Sequence, residues 1–312
     1  MGKIVISEFM DEQAADSLKE CFDVTFNVDL VEDREALLAA VADADGIIVR
    51  NRTQVNTELL AAAPRLKVVG RLGVGLDNID LKACEARGVV VKPAIGGNGS
   101  SVAEYVITAA LLLRRAAYFS TSAMVQGDWP RQALIGREVS GSTLGLVGFG
   151  AIAQETARRA QALDMQVAAH DPYLPHDAPE WAGVKRHESL NSLLQTADVV
   201  SLHIPLTDAT RHLIDVTALA SMKPDAVLVN AARGGIVDEA ALASALREER
   251  LAGAMLDVFE QEPLPAGSVL DGVPGLILTP HIAGVTEESN ARISQMTADN
   301  VRDVLAQAEE MT

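Results

Sequence analysis

Residues 143–153 read Thr-Leu-Gly-Leu-Val-Gly-Phe-Gly-Ala-Ile-Ala, an apolar run that breaks at glycine and resumes with helix-forming residues. Gly148 permits a tight turn, and Gly150 lets the backbone approach a pyrophosphate at a helix N-terminus. Ala153 stands in the third glycine's place, where it needs only slightly more room between helix and sheet. Glycine turns between strand and helix are common, so the context decides the reading. Asp171 ends the next β-rich run, 21 residues after Gly150, where a carboxylate accepts hydrogen bonds from the adenosine ribose. It would repel a 2'-phosphate, and Pro172 and Tyr173 offer no arginine to receive one. The expected cofactor is NAD.

Working outward, β-rich runs alternate with helical stretches on both sides. Downstream come MQVAAHD (165–171), DVVSLHI (198–204), AVLVNAAR (226–233), AGAMLDVF (252–259) and GLILTPH (275–281). Upstream lie KIVIS (3–7), DVTFN (23–27), GIIVR (46–50), KVVGR (67–71) and GVVV (88–91). Such alternation predicts parallel sheets with helices on both faces. A long apolar helix from about Ser101 to Tyr118 separates the two series, with Ser101 and Glu104 spaced as a capping box. A final helix over roughly Glu287–Glu309 closes the chain and is expected to return to the first domain. The reading is therefore α/β, with two doubly wound parallel-sheet domains sharing a cleft. A Rossmann dinucleotide-binding domain (100–285) is inserted in a flavodoxin-like substrate domain (1–99 and 286–312).

The formal charge of −17, from 26 basic and 43 acidic side chains, argues against nucleic acid or an anionic membrane as partner, and no basic stripe offsets it. No apolar run approaches the roughly 20 residues that cross a bilayer. The opening MGKIVISEF reads as a first strand and lacks the parts of a signal peptide. Cys21 and Cys84 match no metal or redox spacing, so no metal and a cytoplasmic location are expected. Arginine outnumbers lysine, and two readings of the acidity stay open: an ordinary acidic face, or adaptation to a salty cytoplasm.

Three blocks carry the chemistry: Asn-Ala-Ala-Arg-Gly-Gly from 230, Leu-Asp-Val-Phe-Glu-Gln-Glu-Pro from 256, and Thr-Pro-His-Ile-Ala-Gly from 279. Each follows a predicted strand, and in an open parallel sheet the carboxyl ends of the strands border the ligand crevice. Arg233, Glu262 and His281 could therefore converge. Their types suit hydride chemistry at a hydroxyl carbon. Histidine can take the alcohol proton, a neighbouring carboxylate favours the imidazolium needed for the reverse step, and arginine can grip a substrate carboxylate. His170, His176, His187 and His212 receive no role.

These blocks, with Ser-Leu-His-Ile-Pro-Leu-Thr at 201–207, resemble the D-isomer-specific 2-hydroxyacid dehydrogenase family over essentially the whole chain. The resemblance implies a catalytic His281–Glu262 pair and a substrate-carboxylate arginine at Arg233. It places Ala151 and Ile152 at the pyrophosphate, and His203 and Ile204 along the cofactor. It sets Ala231, Ala232 and Asp257 toward the nicotinamide end and counts Ala283 and Gly284 among the cofactor-binding residues. It also implies a homodimer formed through the long helix and residues 120–140.

Residues 71–80 resemble the family's substrate loop, which implies that the backbone of Gly73, Val74 and Gly75 receives the substrate carboxylate, with Val74 also near the cofactor. Asn98 falls in the family's interdomain crossover. Arg50, Arg52 and Arg71 resemble the phosphoglycerate dehydrogenase branch and suggest a second anion on the substrate. The crossover departs from that branch, reading Pro-Ala-Ile-Gly-Gly-Asn, and with one helix after the last strand no serine-sensing domain is expected. The expectation is a small C3 2-hydroxy acid, 3-phosphoglycerate or (S)-3-sulfolactate. A glyoxylate/hydroxypyruvate reductase and an NAD-sensing corepressor-like protein are the alternatives.

Overall fold

A computed structural model describes residues 2–310; Met1, Met311 and Thr312, which the expected domain bounds include, lie outside the described residues. The chain divides into two compact units, Met1–Asn98 with Val285–Thr312 and Gly99–Gly284.

In the first unit the elements run β1 (Lys3–Ile6), α1 (Glu12–Lys19), β2 (Asp23–Phe26), α2 (Arg34–Ala40), β3 (Gly46–Val49), α3 (Thr57–Ala62), β4 (Val68–Arg71), α4 (Leu81–Ala86) and β5 (Val90–Pro93). The strands form one parallel sheet in the order β2-β1-β3-β4-β5. Ile4, Ile6, Ile47, Ile48, Val68 and Val69 are fully buried, as strands covered on both faces require. Asp11, Asp33, Asn56 and Asp80 cap the four helices by accepting from first-turn amides, which fixes where each begins.

The second unit contains α5 (Gly99–Arg115), α6 (Thr121–Val125), β6 (Thr143–Val147), α7 (Ala151–Ala162), β7 (Gln166–His170), β8 (Lys185–Arg186), α8 (Leu190–Leu194) and β9 (Val199–Leu202). It continues through α9 (Val216–Ser221), β10 (Val227–Asn230), α10 (Glu239–Arg247), β11 (Gly253–Leu256) and β12 (Leu276–Leu278). The seven strands order as β12-β11-β10-β9-β6-β7-β8, all parallel. The winding reverses beside β6, so the loops after β6 and β9 border the crevice where such sheets take ligands.

The last helix, α11 (Glu287–Glu310), belongs to the first unit. Its Ile293, Ala298, Val301 and Leu305 complete the core against Ile4, Ile6, Ile48 and Val68.

The long helix differs from expectation. It starts at Gly99 and ends at Arg115, so Ser101 lies inside its first turn rather than at the cap. Glu104 is exposed and meets Arg159 of α7 at 3.5 Å, drawn by a cation that only the tertiary fold supplies.

Candidate active site

The cofactor end is built around Gly148, whose φ of +86° suits glycine. A Cβ there would lie 2.6 Å from the His203 carbonyl oxygen and 2.7 Å from Ile204 Cγ2. The turn after β6 and the exit of β9 are therefore in contact. Gly150 opens α7 without a side-chain cap, and the space a Cβ would fill there is open. Uncapped amides at a helix N-terminus, with room before them, fit a pyrophosphate. Ala153 is fully buried, accommodating the departure from glycine.

Asp171 turns back onto this loop. Its Oδ2 accepts from the Phe149 amide at 2.8 Å, and Oδ1 accepts from Tyr173 at 2.8 Å and Leu174 at 3.1 Å. Burial opposes its charge, but these three amides outweigh it and hold the carboxyl below the ordinary range. His203 is fully enclosed, with Nε2 3.0 Å from Ser201 Oγ, and burial pushes its imidazole down to about 4. It is a neutral wall of the site. Phe149 stacks on Trp181, ring centroids 5.2 Å apart; sequence reading gave Trp181 no part.

The three catalytic candidates lie after β10, β11 and β12, adjacent at one side of the sheet. His281 Nδ1 meets Glu262 Oε2 at 2.7 Å. A carboxylate only accepts, so Nδ1 carries a proton and Nε2 is the nitrogen presented to a substrate. Glu262 Oε1 accepts from the Phe259 amide at 3.0 Å. A Cβ on Gly234 would collide with the Phe259 carbonyl oxygen at 1.7 Å, so the Arg233 block lies directly on the Glu262 segment. Asn230 shapes that block: its Nδ2 donates to the Arg233 carbonyl at 3.0 Å and its Oδ1 accepts from the Ala232 amide at 3.1 Å. Arg233 Nη1 donates to the Ala232 carbonyl at 2.7 Å. Ala231 lies between, half-buried.

Asp257 is almost fully buried. Oδ1 accepts from Thr279 Oγ1 at 2.6 Å and the Ile282 amide at 2.8 Å, and Oδ2 accepts from the Ala283 amide at 2.8 Å. Its own carbonyl receives the His281 amide at 2.8 Å. One side chain thus ties down the turn from Thr279 to Gly284, where His281 has φ of +54°, a left-handed backbone that the surroundings must enforce. His212, given no role from sequence, meets Glu260 Oε1 at 3.1 Å. Glu260 and Glu239 exchange backbone-to-carboxylate hydrogen bonds and anchor the Glu262 segment to α10.

In the first unit, buried Glu8 accepts from the amides of Arg50 (2.8 Å), Arg52 (3.2 Å) and Thr53 (3.0 Å). The Arg50 guanidinium lies over Phe9, 6.0 Å from the ring centre, and donates to Asn290 Oδ1 at 2.9 Å. Arg52 points outward and pairs with Glu32. Arg71 Nη1 donates to the Leu72 carbonyl at 2.6 Å and covers Gly73, where a Cβ would meet it at 1.8 Å. The Gly73 amide already donates to the Arg71 carbonyl at 2.8 Å, which leaves Val74 and Gly75 as the amides for a ligand. Asn98 Oδ1 is buried with no hydrogen-bond partner among the described residues. No cluster of histidine, cysteine or acidic residues suited to a metal occurs among the described residues.

Residues 107–283 match the model of the D-isomer-specific 2-hydroxyacid dehydrogenase NAD-binding domain. The (S)-sulfolactate dehydrogenase of Chromohalobacter salexigens is 61% identical over 98% of this chain and 99% of its own length. A D-3-phosphoglycerate dehydrogenase of Methanocaldococcus jannaschii is 38% identical over 98% of this chain, which spans 58% of that longer protein. A crystal structure from Thermus thermophilus superposes with a TM-score of 0.88 at 34% identity, covering 98% of this chain and 97% of the other. The chain belongs to the D-isomer-specific 2-hydroxyacid dehydrogenase family and is an NAD-dependent oxidoreductase.

Proposed function

We propose that the protein interconverts (S)-3-sulfolactate and 3-sulfopyruvate with NAD. The observation that carries this reading is the 61% identity to a sulfolactate dehydrogenase across almost all of both chains. The stereochemistry is consistent: sulfur gives C3 priority over the carboxylate, so the (S) descriptor here denotes the same C2 arrangement as in D-lactate.

Arg233 holds the C1 carboxylate through charge-assisted hydrogen bonds. His281 Nε2 takes the C2 hydroxyl proton during oxidation and returns it during reduction. Glu262, fixed on Nδ1, stabilises the imidazolium that forms. NAD, when bound, would supply the hydride acceptor for C2. Gly148, Gly150, Ala151 and Ile152 hold its pyrophosphate and Asp171 its adenosine ribose. Ala231, Ala232 and Asp257 would serve the nicotinamide end, and His203, Ile204, Ala283 and Gly284 would line the cofactor. Asn98 is proposed to face the substrate from its place before α5.

The second anion is assigned to Arg50, with Arg71 beside the carboxylate loop. Arg52 is already neutralised by Glu32, and a sulfonate carries one charge where a phosphate carries nearly two. Fewer available cations favour the sulfonate over 3-phosphoglycerate, the second reading, which the archaeal match supports. Comparing kcat/KM for (S)-3-sulfolactate, 3-phosphoglycerate, D-glycerate and D-lactate in one buffer tests this. Sulfolactate should lead, and equal rates for all four would remove the substrate assignment while leaving the family untouched.

The acting form is proposed to be a homodimer in the cytoplasm. Exposed Tyr118, Phe119, Val125, Trp129 and Ile135 gather on residues 117–135, an apolar load that suits a second copy. No helix among the described residues is long and apolar enough to cross a membrane, and both cysteines are free. Light scattering should give twice the chain mass, and monomer at working concentration would reject the dimer.

A further inference from the structure

We propose that Tyr105 is a positioning residue for the reaction, holding the His281 turn through Thr279 and Asp257. The inference rests on His281 being the proton-transfer residue.

Tyr105 lies in the second turn of α5, on neither a cofactor nor a catalytic block. Its hydroxyl is 2.6 Å from Thr279 Oγ1, and Thr279 Oγ1 is 2.6 Å from Asp257 Oδ1. The proton directions follow from the acceptors. Asp257 as a carboxylate can only accept, so the single Thr279 hydroxyl proton goes to it. Thr279 must then accept from Tyr105, which donates. The chain runs Tyr105 to Thr279 to Asp257, and the Asp257 carboxylate receives the Ile282 and Ala283 amides that flank the turn. Burial, together with the nearby Asp257 charge, pushes the Tyr105 hydroxyl up to about 12 although its bond to Thr279 works the other way. The phenol therefore stays a donor across the working pH range.

The arrangement answers a local problem. His281 sits at φ of +54°, a conformation that costs a non-glycine residue stability and persists only where neighbours over-determine it. Asp257 supplies the constraint, and a buried carboxylate keeps its charge there only when its oxygens are well provided with donors. Tyr105 strengthens the Thr279 donor by polarising it. With that support the turn keeps His281 Nδ1 on Glu262 at 2.7 Å and Nε2 aimed at the substrate.

The test is steady-state kinetics of Tyr105→Phe, Thr279→Val, Thr279→Ser and His281→Ala, with melting temperatures alongside. Tyr105→Phe should lower kcat by about 3- to 10-fold, the worth of one neutral hydrogen bond transmitted to the reacting geometry, with KM for NAD unchanged. The alkaline limb of its reduction profile should move to lower pH, because a loosened His281–Glu262 contact favours imidazolium less. Thr279→Val should reproduce and exceed this, whereas Thr279→Ser should restore most of the rate. Wild-type kcat and pH profile in Tyr105→Phe, with His281→Ala inactive, would overturn the positioning role alone. Full activity in His281→Ala would overturn the proton-transfer assignment beneath it.

Discussion

Glu8 after β1 and Asp257 after β11 are both buried carboxylates that collect three donors each from a functional segment. Their surroundings then diverge. Behind Asp257 stands a further layer, Thr279 and Tyr105, and in front of it His281 is fixed to Glu262. Glu8 binds the backbone of residues 50–53, and its charge also favours the Arg50 guanidinium. The arginine side chains leave that loop in different directions, Arg50 onto Phe9 and Asn290, Arg52 outward to Glu32. The chemical end is constrained to the reacting nitrogen. The end assigned to the substrate's second anion is held by its carboxylate at the loop backbone, and its guanidinium groups rest on partners outside that carboxylate.

The contrast can be broken most severely at the chemical end. His281→Ala should cost about 10²- to 10⁴-fold in turnover, the usual worth of acid–base catalysis. NAD affinity should be retained, as fluorescence titration would check. Glu262→Gln should keep a smaller part of that loss and move the pH optimum of reduction downward. A His281→Ala enzyme that turns over normally would dissolve the distinction between the two ends.

The anion end is expected to respond in KM rather than kcat. Arg50→Ala should raise KM for sulfolactate by about 10- to 150-fold, the worth of a charge-assisted hydrogen bond, with little effect on the slow rate with D-lactate. Arg52→Ala should change KM much less, since an exposed arginine already paired with Glu32 contributes about 0–1 kcal/mol. Equal responses of the two variants would show that the side-chain directions do not sort these arginines. Glu8→Gln should fall between, lowering stability by about 1–3 kcal/mol through unmatched buried groups and raising KM while sparing kcat.

A third carboxylate, Asp171, sharpens the comparison from the cofactor end. Its carboxyl is held below the ordinary range, so its stabilising effect is present above the unfolded carboxylate range and is lost as pH falls through it toward the folded value. Asp171→Asn should flatten acid unfolding there, and Asp171→Ser should narrow the preference for NAD over NADP. Unchanged cofactor preference would remove Asp171 from the ribose. The smallest expected effect is that of salt. If the −17 charge is an adaptation, concentrated potassium chloride should preserve or raise activity by screening self-repulsion, and inactivation at moderate salt would reject that.

Much of the fold was legible because buried parallel strands leave continuous apolar runs, as at Ile47–Val49 and Leu228–Val229. The catalytic blocks were legible because each sits just past such a run, where sheet geometry brings distant segments together. The start of α5 differs from the local capping pattern because the helix already begins at Gly99, two residues before Ser101, and Glu104 meets Arg159, 55 positions beyond it. Tyr105 was invisible for the same reason on a larger scale: its partner is 174 positions away, and a single tertiary hydrogen bond leaves no periodic trace. Glu8 likewise read as a residue beside a strand end. Nothing local tells that its acceptors face a loop more than forty positions later.

The proposed reaction is NAD-dependent oxidation at C2 of a sulfonated three-carbon acid. It is tested most directly with (S)-3-sulfolactate carrying deuterium at C2, incubated with NAD and the wild-type protein, followed by mass analysis of cofactor and acid. One deuterium is expected in the reduced cofactor for each 3-sulfopyruvate formed. Failure to reduce NAD with this acid, under conditions where another 2-hydroxy acid reduces it, would contradict the claim.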